Sequence, residues 1–253
     1  MIKKIRPAIL RELLINLFYG NSFNRRKNIF LNKFNVYLNI DPFSHLGDIL
    51  NSNSEYEPNT IKFILDNLSK KSIFFDIGAN EGFFSIITSK INTEGKTFLF
   101  EPMKDLVKVI KKNIEINNIK HFEVFNLALG EADYESKINV FPESNTGASS
   151  ILRKYRFSNK TENITVHSLD NFMKLNNYNF VIDLIKIDTE GYEINIILGM
   201  ENLLKNKQIK KILVDFHVGI ISEDQKKRAE EFIIKHGYKK IPLHYDFTLF
   251  QVD

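Results

Sequence analysis

Four charged residues stand close together at the end of an apolar run. The segment "IKIDTEGYE" carries Lys186, Asp188, Glu190 and Glu193 directly after strand-like residues. Charges buried in a parallel sheet are costly unless they are paired, so this group is either an ion cluster that fixes a turn or part of an active site. A carboxylate positioned at a strand end can remove a proton from a substrate. Lys186, Asp188 and Glu190 are therefore catalytic candidates, whereas Glu193 is better interpreted as an acidic residue that starts a helix.

A further candidate base is His217, which ends the apolar run "KKILVDFH". Histidine changes its charge near neutral pH and can accept a proton there, although a structural histidine would look the same in the sequence. Oxygen-rich sites also suit Mg²⁺. Asp188, Glu190 and His217 could therefore hold a divalent metal, but their spacing does not establish one. Which of the three is the base stays open.

A glycine-containing loop lies earlier in the chain. The segment "FFDIGANEGFF" has the form D-x-G-x-N-x-G, with Asp76, Gly78, Asn80 and Gly82 at its four defined positions. A tight turn alone could require the glycines, but they would also let the backbone approach a ligand where a helix begins. Glu101 in "FLFEP" ends the next apolar run, where a carboxylate can bind both hydroxyls of a ribose. Because the G-x-G-x-x-G fingerprint is absent, an adenosyl ligand such as S-adenosylmethionine fits better than NAD.

Strand-like and helix-like runs alternate from residue 72 onward and would position these residues. The predicted strands are "SIFFDIG", "KTFLFEP", "FEVFNLAL", "VIDLIKID" and "KKILVDFH", and the predicted helices are "EGFFSIITSKI", "KDLVKVIKKNIEIN", "YEINIILGMENLLKN" and "SEDQKKRAEEFIIKHG". This alternation predicts an α/β fold with a doubly wound, mostly parallel sheet and helices on both faces.

Two segments depart from the alternation. Between Gly130 and Asp170 no helix is evident, and "KINVFPE" and "NITVHSLD" indicate extra strands around the polar loop "SNTGASS". An insertion near strand ends is a natural place for substrate contacts. The last residues, "YKKIPLHYDFTLFQVD", predict an antiparallel hairpin that turns at Asp246.

The composition favours one main domain with an extension. The chain has 253 residues, 43% of them hydrophobic, which allows one sizeable core. We expect an N-terminal helical arm over residues 1–55 and a main domain over residues 56–253. The net charge of +4 is spread along the chain and does not argue for nucleic acid. The absence of cysteine excludes disulfides, thiolate zinc sites and a cysteine nucleophile, and it fits a cytoplasmic protein.

The first twenty residues predict an amphipathic helix. Apolar residues recur at helical spacing from Ile2 to Phe18, with Lys3, Lys4, Arg6 and Arg11 elsewhere on the wheel. Arg11 and Glu12 interrupt the run, which argues against a signal peptide. Such a helix could cap the domain, form a homodimer contact or touch an anionic membrane surface as a peripheral element.

Five motifs occur together between about residues 57 and 217. In order they are "FFDIGANEGFFS", "FLFEP", "NLALG", "HSLD" and "LIKIDTEGYEINIILG". In this order and spacing they resemble the FkbM family of S-adenosylmethionine-dependent methyltransferases. The resemblance implies a class I methyltransferase (Rossmann-like) fold and methylation of hydroxyl groups, often on sugars. This chain has Asp215 where family members often carry Glu, which leaves the role of that position open.

The resemblance also implies residue roles. By position, the ribose of the cofactor would lie near Glu101 and the adenine near Asn126 and Ala128. The methionine and sulfonium part would lie near the four residues of the glycine loop, Asp76, Gly78, Asn80 and Gly82. Ala79 and Pro102, within the same motifs, are also assigned to the cofactor. Asn126 has an alternative interpretation as a turn residue that ends a strand.

We therefore expect an O-methyltransferase that acts on a hydroxyl of a saccharide or glycoconjugate, as the resemblance implies. An RNA methyltransferase is a second interpretation, prompted by the pI of about 8.9 and the basic N-terminal helix. The missing D/N-P-P-Y/F motif and the missing cysteine argue against it and against a nucleic-acid partner. A third interpretation is a non-catalytic nucleoside-binding or scaffold protein of the same fold.

Overall fold

The structure, a computed structural model, describes residues 8–52, 54–141, 149–153, 159–241, 243 and 247–252. Three features of the sequence analysis lie outside these ranges. They are residues 2–7 at the predicted start of the N-terminal helix, residues 142–148 in the polar loop of the insertion, and Asp246 in the predicted terminal turn.

Helices and strands alternate through most of the described chain. The strands are Lys27–Leu31 (β1), Val36–Ile40 (β2), Ile73–Ile77 (β3), Lys96–Phe100 (β4), Phe122–Phe125 (β5), Ala128–Gly130 (β6), Tyr134–Asn139 (β7), Thr161–Ser168 (β8), Ile182–Ile187 (β9), Ile209–Asp215 (β10), Lys239–Ile241 (β11) and Phe247–Gln251 (β12). The helices are Ala8–Tyr19 (α1), Ser22–Arg25 (α2), His45–Asn51 (α3), Pro58–Asn67 (α4), Phe83–Thr88 (α5), Lys104–Ile116 (α6), Leu169–Leu175 (α7), Glu193–Leu198 (α8), Glu201–Lys205 (α9) and Glu223–Lys235 (α10).

A seven-stranded sheet in the order β11-β12-β10-β9-β3-β4-β5 forms the centre of the molecule. Neighbouring strands from β10 to β5 pair in parallel, whereas β12 is antiparallel to both β10 and β11. This arrangement confirms the predicted doubly wound, mostly parallel sheet with an antiparallel hairpin at its end. The carboxyl ends of β3, β4, β9 and β10 therefore meet along one edge.

Apolar residues face both sides of this sheet, as burial under two helical layers requires. On one face, Phe74 of β3 and Leu184 of β9 pack with residues of α4, α5 and β2. On the other face, Phe75 and Ile185 pack with residues of α7, α8, α9 and α10. Alternate residues of each strand thus pack into the cores on opposite faces of the sheet. This accounts for the near-continuous apolar runs in the sequence.

Several element boundaries differ from the sequence prediction. The run "FEVFNLAL" divides between β5, which joins the central sheet, and β6, which joins a second sheet. The long predicted helix at 192–206 divides into α8 and α9 around Gly199, where a Cβ atom would lie 1.8 Å from the carbonyl oxygen of Gly130. Helix α7 was not predicted; Ser168 caps it by accepting a hydrogen bond from the Asn171 amide.

The insertion forms a three-stranded sheet in the order β6-β8-β7. Strand β8 pairs in parallel with β6 and antiparallel with β7. Ser150, further along the insertion, forms an isolated bridge with Asn139 at the end of β7 and donates from its hydroxyl to the carbonyl oxygen of Glu190 at 2.8 Å. This bond joins the insertion to the turn that follows β9.

The N-terminal segment contains more strand than the sequence predicted. The sequence analysis expected a helical arm over residues 1–55, and the structure also has the hairpin β1-β2 there. Asn113 of α6 and Asn117, the residue after α6, bind the free edge of β2 and lie one helical turn apart. The Asn39 amide donates to Asn113 Oδ1 at 2.6 Å, and Asn117 bonds both the amide and the carbonyl of Tyr37. The hairpin is thereby attached to the main domain, and the proposed boundary at residue 55 stays a prediction.

Two neighbouring arginines form buried ion pairs, one within the N-terminal segment and one with the main domain. Arg25 Nε lies 2.9 Å from both carboxylate oxygens of Asp41. Arg26 donates to Glu81 Oε2 at 2.5 Å, and their side chains are only 6% and 5% exposed. Because Glu81 follows Asn80, this ion pair holds the glycine loop against the N-terminal segment.

Helix α1 presents several apolar side chains to solvent. Leu13, Leu17 and Phe18 are 62%, 76% and 67% exposed, whereas Ile15 is buried. The dimer contact and the peripheral membrane contact both stay predictions for this face. Within the described residues, no helix combines the length and apolar character that a membrane span requires.

We expect Arg26→Ala to lower the free energy of unfolding by about 3–5 kcal/mol, because it leaves the Glu81 carboxylate buried without its cation. Urea denaturation measures this loss. Lys33→Ala is the matched control, since Lys33 and Glu55 form an ion pair with both side chains more than half exposed. The control should lose less than about 1 kcal/mol. Equal losses in the two variants would contradict a structural role for the buried pair.

Candidate active site

A cavity of about 350 Å³ opens at the carboxyl ends of β3, β4, β9 and β10. Its wall contains most of the residues that the sequence analysis selected as a site: Gly78, Ala79, Asn80, Glu101, Pro102, Ala128, Lys186, Asp188, Glu190 and His217. Asp76, Gly82 and Asn126 do not line the cavity, but each is adjacent in sequence to a residue that does. Most of the residues predicted for the cofactor and all of those predicted for catalysis thus line one cavity.

Gly78 lets two strand ends approach each other closely. Its φ is +78°, and a Cβ atom at this position would lie 1.9 Å from the carbonyl oxygen of Asp188. The Asp188 amide in turn donates to the carbonyl of Ile77 at 3.1 Å. Any residue with a side chain at position 78 would push β3 and β9 apart, so the glycine is needed to bring Asp188 beside the loop.

Glu101 connects the glycine loop to the end of β4. Its carboxylate accepts from the Asn80 amide and from the Met103 amide, each at 2.9 Å. Burial raises the pKa of Glu101 to about 7, against the opposing effect of these two bonds. Each oxygen retains a lone pair for a further donor, so the carboxylate could bind a ribose hydroxyl as predicted.

Two of the predicted cofactor residues, Asn126 and Gly82, contact residues outside the cavity lining or the backbone of the wall. Asn126 donates from Nδ2 to the carbonyl oxygens of Glu101 and Pro102, at 3.1 and 2.8 Å. Gly82 has φ +79°, and a Cβ atom there would lie 3.3 Å from Ile110 of α6. In this structure both residues shape the loop and the strand end, while Leu127 and Ala128 form the neighbouring wall.

Lys186 is a cation with a side chain only 1% exposed. Its Nζ donates to Asp188 Oδ2 at 3.0 Å and lies 3.8 Å from Asp76 Oδ1 and 4.7 Å from the centre of the Phe84 ring. Burial lowers the pKa of Lys186, but the carboxylates of Asp188, Asp76 and Glu57 outweigh burial and raise it overall. Lys186 therefore stays positive and balances part of the negative charge around the cavity.

His217 is held by one carboxylate and faces three others. Its Nδ1 lies 3.0 Å from Glu193 Oε1, and its Nε2 lies 3.8 Å from Asp188, 3.9 Å from Glu190 and 4.0 Å from Asp215. Because an ionised carboxylate can only accept hydrogen bonds, we assign a proton to Nδ1, which makes Nε2 the basic nitrogen of the neutral ring. Burial lowers the pKa of His217, but the bond to Glu193 and the surrounding carboxylates raise it to about 9.

Asp215 joins this group at the end of β10. Burial, followed by the charge of Asp188, raises the pKa of Asp215 to about 6. Asp188, Asp215 and His217 each offer a ligand atom, and these atoms lie within 4.8 Å of one another. The sequence analysis considered Glu190 as the third metal ligand, whereas the geometry brings Asp215 into that position.

Three contributions to the cavity were missed in the sequence analysis. Glu193 begins α8 as expected, but its buried carboxylate also accepts from the amides of Thr189 and Gly191 and orients His217. Residues of the N-terminal segment line one side: Ser44, His45, Leu46, Tyr56 and Glu57. Ser149, Ser150 and Ile151 of the insertion line another. No local motif marks these residues, because only the folded chain brings them together.

The sheet order and the cavity at the strand ends define a class I methyltransferase fold. A family model described as methyltransferase FkbM domain matches residues 76–240. The chain therefore belongs to the FkbM methyltransferase family, which confirms the resemblance in its motifs.

Individual relatives are distant. The chain is 23% identical over 195 residues to the hexuronic acid methyltransferase AglP of Haloferax volcanii, with 76% of each protein covered. It is also 23% identical over 184 residues to the AMB antimetabolite synthetase AmbE of Pseudomonas aeruginosa, covering 59% of this chain and 8% of AmbE. The crystal structure of methyltransferase FkbM from Methylobacillus flagellatus aligns with TM-score 0.50 and 14% identity, covering 73% of this chain and 44% of that one. The chain thus spans less than half of the last two proteins.

We expect Gly78→Ala to destabilise the protein more than Gly219→Ala does. Both glycines have positive φ, but a Cβ atom at Gly219 would meet nothing within 4 Å. Both variants carry the left-handed backbone cost of about 1–2 kcal/mol, and only Gly78→Ala adds the overlap with Asp188, which costs about 1–3 kcal/mol. Urea denaturation compares them. Equal losses would show that the approach of β3 to β9 does not constrain this loop.

Proposed function

We propose that this protein is an S-adenosylmethionine-dependent O-methyltransferase that acts on a hydroxyl of a saccharide or glycoconjugate. The observation that carries the proposal is the position of His217. Glu193 holds its Nδ1 at 3.0 Å, and its Nε2 points toward Asp188 at the wall of the cavity that the glycine loop forms. A histidine oriented by a carboxylate is the arrangement that activates a hydroxyl group.

The assignment of S-adenosylmethionine as the methyl donor is supported by polar groups in the wall that can accept further hydrogen bonds. Glu101 has spare acceptor capacity beside the loop, and Asn80 Oδ1 is buried without a hydrogen bond among the described residues. Buried polar atoms usually find partners, so a ligand that brings several donors fits this wall. S-adenosylmethionine brings ribose hydroxyls and an ammonium group. Its positive sulfonium also suits a cavity rich in carboxylates.

S-adenosylmethionine supplies an activated methyl group: a carbon–oxygen bond forms to the acceptor, and the carbon–sulfur bond breaks with its electron pair left on a neutral thioether. His217 Nε2 accepts the proton of the acceptor hydroxyl. Glu193 keeps the ring oriented and stabilises the imidazolium that results. Asp188, fixed by Lys186 at 3.0 Å, orients the hydroxyl beside His217.

A saccharide acceptor is supported by the presence of a candidate base and by one relative of known name. An alcohol needs a base more than an amine does, and His217 provides one. The relative AglP is named a hexuronic acid methyltransferase. An RNA acceptor is less favoured, because the chain lacks both the D/N-P-P-Y/F motif of amino-group methylation and a cysteine nucleophile for ring-carbon methylation.

Methyl-labelled S-adenosylmethionine offered with a hexuronic acid glycan, a neutral glycan or RNA tests the proposal. We expect label on a glycan, and we expect His217→Ala or Asp188→Asn to lower turnover by about 10²–10⁴-fold without loss of S-adenosylmethionine binding. The exposed Asp224→Asn is the control. Label on RNA alone, or full turnover in both variants, would overturn the proposal. Activity that EDTA removes and Mg²⁺ restores would instead assign Asp188, Asp215 and His217 to a metal.

The pH dependence of kcat/KM tests the role of His217 separately. Since its pKa is raised to about 9, we expect kcat/KM to increase through the neutral range and level off near that pH. Glu193→Gln removes the hydrogen bond to a carboxylate that raises this pKa, so the inflection should move to lower pH and the maximal rate should fall. Glu231→Gln, at a side chain 64% exposed, should leave the profile unchanged. An unshifted inflection in Glu193→Gln would contradict the assignment.

A further inference from the structure

Glu57 has a strained backbone at the wall of the cavity. Its φ and ψ are 40° and 58°, in the left-handed region that L residues other than asparagine rarely adopt. It also precedes Pro58, which further restricts its backbone. Such a conformation costs about 1–3 kcal/mol and persists where the surroundings or a function require it. Glu57 occupies the N-cap of α4 but makes no side-chain capping bond, so capping does not account for a glutamate here.

The Glu57 carboxylate has an oxygen without a partner. Oε2 is buried and makes no hydrogen bond within the described part of the chain. Burial raises the pKa of this carboxylate, although Lys186, Tyr56 and Thr60 act in the opposite direction. A buried carboxylate that keeps one oxygen free is prepared to accept a hydrogen bond from a ligand.

Glu57 and Glu101 belong to different parts of the wall. Glu101 contacts the amides of Asn80 and Met103, near the ends of β4 and α6. Tyr56, next to Glu57, packs its ring 5.3 Å from Phe83 at the start of α5. Glu57 therefore lies on the α4 and α5 side of the glycine loop. Both carboxylates line the same cavity, so one ligand can contact both.

We propose that Glu57 Oε2 accepts a hydrogen bond from the α-ammonium group of S-adenosylmethionine. This inference rests on the proposed function. The amino-acid part of that molecule carries one cationic donor, the ammonium, and one carboxylate, which Glu57 would repel. A neutral acceptor hydroxyl would bring no positive charge to Glu57. Asn80 Oδ1, the other free acceptor on the same wall, is available to the same ammonium.

Calorimetry with two ligands tests this contact in the intact protein. S-adenosylhomocysteine contains the ammonium group, and 5′-methylthioadenosine lacks the whole amino-acid part. We expect Glu57→Gln to weaken S-adenosylhomocysteine binding by about tenfold or more, as loss of a charge-assisted bond predicts, and to change 5′-methylthioadenosine binding by less than about twofold. Glu55→Gln, at an exposed glutamate two residues earlier, should change neither affinity.

The outcomes separate this inference from the proposed function. Equal weakening of both ligands in Glu57→Gln, or no weakening of either, would overturn the inference while wild-type binding still supports the proposed function. Wild-type protein that binds neither ligand would overturn both. Glu57→Asn gives a second measurement, because asparagine tolerates left-handed backbone. We expect this variant to melt at the same or a higher temperature while it loses S-adenosylhomocysteine affinity, whereas a purely structural Glu57 would lose stability and keep the affinity.

Discussion

The site depends on the ion pairs that the buried ammonium group of Lys186 makes with two carboxylates. This ammonium group lies between Asp76 of β3 and Asp188 at the end of β9, and it is almost completely removed from solvent. Without this cation, two carboxylates on adjacent strands would repel each other at low dielectric. With it, the strands can end close together, and Gly78 can contact the carbonyl of Asp188. Charge pairing and backbone contact thus explain why so many acids gather at one sheet edge.

The chain completes this edge with segments that lie outside the alternating core. The hairpin β1-β2 is bound by asparagines at the end of α6 and directly after it, and Arg26 pairs with Glu81 next to the glycine loop. The same segment continues to Glu57, which lines the cavity in a strained conformation. The insertion contributes Ser150, whose hydroxyl bonds the turn at Glu190. The cavity is therefore assembled from parts that are distant in sequence but cross-linked by buried polar contacts.

Much of the central architecture could be predicted because its causes are local. Apolar runs such as "SIFFDIG" and "VIDLIKID" are long enough to identify buried strands, and Gly78 and Glu101 stand at recognisable distances from them. The position of Glu193 beside His217 could not be predicted, since 24 residues separate them and only the folding of the chain brings them together. The hairpin β1-β2 was not predicted for a similar reason. The edge of β2 bonds to asparagine side chains at the end of α6, and such bonds leave no pattern in the sequence of the hairpin itself.

The central claim is that one cavity brings a methyl donor and an acceptor hydroxyl together beside His217. A crystal structure with S-adenosylhomocysteine and a methyl-acceptor glycan tests it most directly. The account predicts the acceptor oxygen about 2.6–3.2 Å from His217 Nε2, with the thioether sulfur in line behind the position of the transferred methyl group and the ribose at Glu101. An acceptor hydroxyl bound away from His217, or a ribose that does not contact Glu101, would contradict the account.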